Sequence, residues 1–170
     1  MRRATVLCGI MALILALPAW GKKHESKYRS IEVKHFTLQE GMQLPPGFLD
    51  LIYAEIRSQA SKTGLFEDVI SEGEVVDVGE ADTSLILEGN VLKFIPGPKG
   101  MLSGRYMPFQ QSLTADFTVH RRSDGAKLLE KEVTVKAPVA SPGIIVKRQG
   151  PESLAQLLSA KILNDLKSRM

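Results

Sequence analysis

Cysteine is almost missing from this chain, with Cys8 the only one, and tryptophan is limited to Trp20. Aromatic residues make up 6% of the sequence, and the three histidines, His24, His35 and His120, stand far apart. Each scarcity closes a route. A single cysteine makes no intrachain disulfide and no thiolate metal cluster. Isolated histidines lack the three- or four-residue spacing that puts two imidazoles on one helix face around a metal. Strong charge of one sign is also missing, because the formal net charge is only +3. Only one long apolar run exists, and it lies at the start.

That run sets the address. Met1-Arg2-Arg3 is followed by an almost unbroken apolar stretch from Ala4 to Ala16, then by Leu17-Pro18-Ala19-Trp20-Gly21. A basic start, an apolar middle and a small-residue end are the three parts of a secretory signal. Residues 1–21 are therefore expected to be a signal peptide, cleaved after Gly21. The alternative is an uncleaved anchor, since the 17 residues Ala4–Trp20 reach the lower limit for spanning a bilayer. Cys8 sits inside the apolar stretch behind Leu7, so it does not read as a lipoprotein cysteine. Cleavage removes the cysteine, the tryptophan and two arginines, leaving 149 residues with 20 basic against 19 acidic side chains. A nearly neutral domain offers no nucleic-acid footprint. Membrane contact is expected only through an uncleaved signal.

Residues 22–29 (KKHESKYR) read as a flexible basic lead-in, and residues 30–170 as a single domain. Ser30–Phe36 reads as a strand, with Ile31 and Val33 on one face and Glu32 and Lys34 on the other. Phe48, Ile52, Ile56 and Ala60 recur at helical spacing until Gly64 supplies a C-terminal stop. Leu65–Ile70 is a short strand and Ser71–Asp82 an acidic, glycine-punctuated loop. Thr83–Ile95 is aliphatic enough for a buried central strand, and Gly89 within it predicts a bulge or a close backbone approach. Prolines 96, 98 and 108 and glycines 97, 100 and 104 exclude regular structure from 96 to 110.

The clearest pattern follows. Leu113, Ala115, Phe117 and Val119 alternate with polar residues, Ser123-Asp124-Gly125 turns the chain, and Leu129, Val133 and Val135 resume the alternation. That predicts an antiparallel hairpin with one wet face. After a second loop, 137–150, Pro151 opens a helix at its first position. Leu154, Leu158, Ile162 and Leu166 make its apolar stripe, reinforced by Leu157. The first helix links two strands and is long enough for a right-handed crossover. The expected fold is α+β: a two-layer sandwich whose mixed, mostly antiparallel sheet carries two helices on one face.

No catalytic, cofactor-binding or metal-binding constellation emerges, and no cofactor is expected. His35 shares strand parity with Ile31 and Val33 and reads as a core histidine. His120-Arg121-Arg122 reads as a solvated basic edge that blocks strand pairing. Gly97-Pro98-Lys99-Gly100 lacks the Gly-Lys-Ser/Thr ending of a phosphate loop. Two loops hold apolar residues beside arginine, the composition favoured at protein interfaces. They supply the candidate partner-binding residues Arg105, Tyr106, Met107 and Phe109, with Ile144, Ile145, Lys147 and Arg148.

The stretch TSLILEGNVLKFIPG, the loop holding Gly104-Arg105, and LTADFTVHRRSDGAKLLEKEV together resemble the bacterial envelope family called domain of unknown function 4410. Gly64-Leu65-Phe66, Val69 and the final helix fit as well, so the resemblance covers most of Ile31–Leu166. It implies a fold similar to TolB amino-terminal-type domains and to curli-secretion and penicillin-binding-protein-activator lipoproteins, which bind envelope proteins. The chain departs from many members in lacking a lipobox cysteine. The expected function is therefore an exported, non-enzymatic envelope protein with an envelope protein partner. Two other readings stand beside it: an extracytoplasmic hydrolase using His35 or His120 with a carboxylate, and a carrier of a small apolar ligand.

Overall fold

The computed structural model describes residues 27–75, 78–96, 110–138 and 151–170. Along the chain these form β1 (Ser30–Val33), β2 (Thr37–Leu38), α1 (Phe48–Thr63), β3 (Asp68–Ser71) and a 3-10 turn (Val78–Thr83). They continue with β4 (Ser84–Ile95), β5 (Gln110–Arg121), β6 (Lys127–Pro138) and α2 (Pro151–Lys167).

One open sheet takes the order β3-β1-β4-β5-β6, with β2 also paired to β4. The pairings of β1 with β3, β1 with β4 and β2 with β4 are parallel and short. Those of β4 with β5 and β5 with β6 are antiparallel and long. The fold is α+β, with a mixed sheet and two helices. Thr83–Ile95 was expected to be central, and β4 indeed has strands on both sides.

Alternation decides which face is packed. Ile31, Val33, Leu85, Leu87, Val91, Leu113, Ala115, Phe117, Val119, Val133 and Val135 all point to the helix side and are buried. Phe48, Ile52, Ile56 and Ala60 of α1 meet them, as do Leu154, Leu158, Ile162 and Leu166 of α2, in a single apolar cluster. Burying each such large side chain contributes roughly 1.5–3 kcal/mol. The helix α1 stops where Gly64 adopts φ 62, the left-handed conformation that closes a helix cheaply only at glycine.

Gly89 resolves into the close approach rather than the bulge. A β-carbon there would overlap the Phe36 ring and lie 2.7 Å from the Asp116 carbonyl oxygen. The register irregularity of β4 falls between Val91 and Lys93 instead.

Four other expectations change. The second strand starts at Asp68 rather than Leu65, because Phe66 turns inward to the core and ends the preceding turn. The first strand stops at Val33, and Thr37–Leu38 pairs separately with β4. Leu157 is 43% exposed, since among the described residues nothing lies beyond β6 to cover it. Tyr28, in the stretch read as a lead-in, is 6% exposed and belongs to the core.

Candidate functional site

The candidate partner residues Arg105, Tyr106, Met107, Phe109, Ile144, Ile145, Lys147 and Arg148 lie outside the described residues. Within those residues, polar chemistry gathers on the sheet face opposite the helices and at the ends of the parallel strands.

Glu32 lies, as alternation placed it, on the face opposite Ile31 and Val33, but alternation did not reveal its burial: its side chain is only 6% exposed. Arg122, just past the end of β5, arches over it and donates from its guanidinium to Oε2. The backbone N–H of Gly73 donates to Oε1 at 3.1 Å, and Arg122 Nε also reaches Ser84 Oγ at 3.4 Å. A buried carboxylate needs this degree of compensation, because removing a charge from water is costly. Arg122 is therefore no solvated edge residue. Strand β5 lies inside the sheet, and Arg121 beside it pairs with Asp124 at 3.0 Å. A hydrogen bond to Tyr28, reinforced by Asp124, raises the Arg121 pKa above its ordinary value.

His35 is not a core histidine. Strand β1 ends at Val33, so the parity argument lapses two residues too early, and the imidazole is 46% exposed. Its Nδ1 lies 2.7 Å from Glu72 Oε2, which also accepts from the His35 backbone N–H at 3.1 Å. Its ring stacks on Tyr53 of α1, with centroids 3.8 Å apart and planes 17° apart. Arg57 covers Tyr53 at 5.4 Å, and Asp50 Oδ1 stands 4.0 Å from His35 Nε2. The bonds from His35, side chain first and backbone second, hold the Glu72 carboxyl below the usual glutamate range. This cluster ties the exit of β1 to the turn after β3 and to the first turns of α1.

His120, on β5, is 19% exposed at its side chain and lies 3.8 Å from Glu88 Oε1. Glu88 also accepts a 3.3 Å bond from Lys34. Both histidines thus stand beside a carboxylate, half of what the hydrolase reading requires. The other half is a cleft with a nucleophile or oriented water beside the base. For His35 both ring nitrogens face carboxylates. Cavities among the described residues lie elsewhere. One of about 380 Å³ is lined by Ser30, Asp68, Val69, Glu74 and Glu80, and another of about 280 Å³ by Tyr28, Leu85, Leu129 and Leu166. Among the described residues no group of three or more histidine, cysteine, aspartate or glutamate side chains is placed to hold a metal. No helix there is long and apolar enough to cross a membrane.

No family profile matches the sequence, and no curated protein matches it significantly. Solved structures do share the fold. The PelC dodecamer of Paraburkholderia phytofirmans superposes with a TM-score of 0.56 at 15% identity, over 81% of this chain and 87% of that one. A hypothetical protein of Chlamydia trachomatis gives 0.58 at 8% identity, over 84% and 97%. A DUF330 protein of Xanthomonas campestris gives 0.55 at 12% identity, over 91% and 93%. At these identities the likeness is one of fold: the chain has the same architecture as these bacterial proteins.

Proposed function

We propose that the chain is an exported, non-enzymatic protein of the bacterial envelope that acts by binding another protein. The observation that carries this reading is how the polar side chains are used. Glu32, Arg122, Glu72 and His35 are engaged with one another and with backbone groups across strand ends, so they hold the sheet together rather than surround a substrate. The apparent signal in residues 1–21 supports export. The resemblance to domain of unknown function 4410 supports the envelope, with the signal cleaved after Gly21. The PelC dodecamer adds that a protein of this fold assembles through its surface.

The binding residues in this reading are Arg105, Tyr106, Met107 and Phe109, with Ile144, Ile145, Lys147 and Arg148. In-cell photocrosslinking from positions 106 and 145 tests it. A discrete envelope protein should be captured, and capture should vanish when Tyr106 and Phe109 are replaced by alanine. Capture that survives both substitutions would remove these residues from the binding surface.

A hydrolase built on His35 is the second reading, favoured by the 2.7 Å contact with Glu72. It requires hydrolysis of an ester or amide substrate by the purified protein, lost in His35→Ala. Equal turnover by the two proteins would end that reading.

A further inference from the structure

Strand β6 is twelve residues long and, among the described residues, pairs on one side only, with β5. A long free edge offers a row of unpaired N–H and C=O groups to any other strand, which proteins usually guard against. The other edge, β3, is four residues long and carries no such risk. The charges on β6 are not of one sign, and their order is selective.

We infer that β6 is the interface for a second copy of this chain, pairing antiparallel with its own counterpart about a twofold axis. The inference goes beyond the loop-binding reading and uses different residues. In a continuous sheet, residues directly opposite one another must share a face, so only registers joining positions of equal parity are allowed. An axis through Val133 places Glu130 opposite Lys136 of the second copy, twice by symmetry, with Glu132 opposite Thr134 and Lys131 opposite Val135. The equally long register centred on Glu132 would set Glu132 against itself, and centring on Lys131 would oppose two lysines and two Glu130–Glu132 pairs. Opposite charges across an antiparallel pair stabilise it and like charges destabilise it. The register centred on Thr134 also opposes unlike charges, Glu132 to Lys136 of the second copy, but it spans nine residues against eleven and leaves Glu130 opposite Pro138, so the Val133-centred register is the longest that opposes no like charges. An isologous interface of this kind closes as a dimer and does not propagate into a fibre.

The flank of the strand fits the same occupant. A groove of about 350 Å³ runs between β6 and α2, lined by Val135, Lys136, Leu157, Ala160 and Lys161. Leu157 there is among the few large apolar side chains left exposed. A second sheet continuing past β6 would bring a second α2 alongside and cover it.

Sedimentation equilibrium of the full chain, purified from cells that export it, tests the interface by charge reversal. The wild type should form dimers at micromolar concentration. Glu130→Lys alone, or Lys136→Glu alone, should weaken dimerisation by about tenfold or more. The double variant Glu130→Lys, Lys136→Glu should restore it to within about twofold, because the pair is regenerated with its signs exchanged. Glu130 is 62% exposed, and its internal partner Lys127 is 55% exposed, so the monomer fold should melt at an unchanged temperature. A wild type that stays monomeric at about 100 μM overturns the inference; so it would be if a different protein, or residues 139–150, covered the edge. Dimerisation indifferent to either single reversal, or not restored by the double one, overturns it equally. Tyr106→Ala with Phe109→Ala should leave self-association intact, which separates this interface from the loop surface.

Discussion

The two halves of the sheet are held by different means. On the parallel side β1 and β3 are four residues each, too short for backbone ladders to carry them alone, and side chains sew their ends. Glu32 with Arg122, His35 with Glu72, and Arg29 with Glu67 all sit there. On the antiparallel side β4, β5 and β6 are twelve residues each, and the ladder and apolar face suffice. The polar contact between Thr114 and Thr134 on that side is exposed and lies within a ladder that is already continuous. Strand length therefore tells where a side-chain interaction is structural and where it is incidental.

The largest effect should come from breaking the buried tether. Glu32→Ala leaves Arg122 without its carboxylate beside a protected Ser84, and should lower stability by about 3 kcal/mol in urea unfolding. A loss below about 1 kcal/mol would mean that the parallel half does not depend on its tethers. Second is the seam between the halves. Gly89→Ala pushes a methyl group into the Phe36 ring and the Asp116 carbonyl, and should cost about 2 kcal/mol. The companion Phe36→Leu should relieve part of that loss in a double-mutant cycle, and strict additivity would argue against the contact.

Third is a pH effect. The Glu72 carboxyl has its pKa lowered by His35, so this contact stabilises the fold fully above the ordinary glutamate range. That stability is lost as pH falls through the lowered pKa. Glu72→Gln should flatten the acid limb of the stability curve without moving its neutral plateau by much, since the pair is half-exposed. An acid limb of unchanged steepness would show that Glu72 does not report there. The smallest effect belongs to the antiparallel half. Thr114→Val removes an exposed hydroxyl pair 2.9 Å long and should shift stability by less than about 0.5 kcal/mol. A larger loss would erase the contrast between the halves.

What could be read from the sequence follows the same division. The hairpin, both helices and the fold class were legible, because Leu113–Val119, Phe48–Ala60 and Leu154–Leu166 repeat a clean period over several turns or pleats. The parallel strands were legible only as short apolar runs, and their ends were not. Three residues of error in the end of β1, expected at Phe36 and found at Val33, made His35 a core residue on paper and an exposed partner of Glu72 in the structure. Glu32 could not have been found by period at all. Its burial depends on Arg122, ninety positions away, and on Gly73 from a third segment. The one sequence signal bearing on it was the run His120-Arg121-Arg122 beside a turn, which has the same appearance whether it meets water or a carboxylate. The candidate loops stood out by composition alone, which carries no distances.

Tyr28 sets a leash. Its ring is locked into the core with only six residues between it and Gly21. Six fully extended residues reach about 20 Å. If the apolar leader stays in the bilayer, the folded body has to ride close against the lipid headgroups, with little freedom to swing or to search. If the leader is cut off after Gly21, the peptidase has to work within that same distance of the domain. Lengthening the spacer by a dozen glycine and serine residues would therefore loosen that tether and leave the fold as it is.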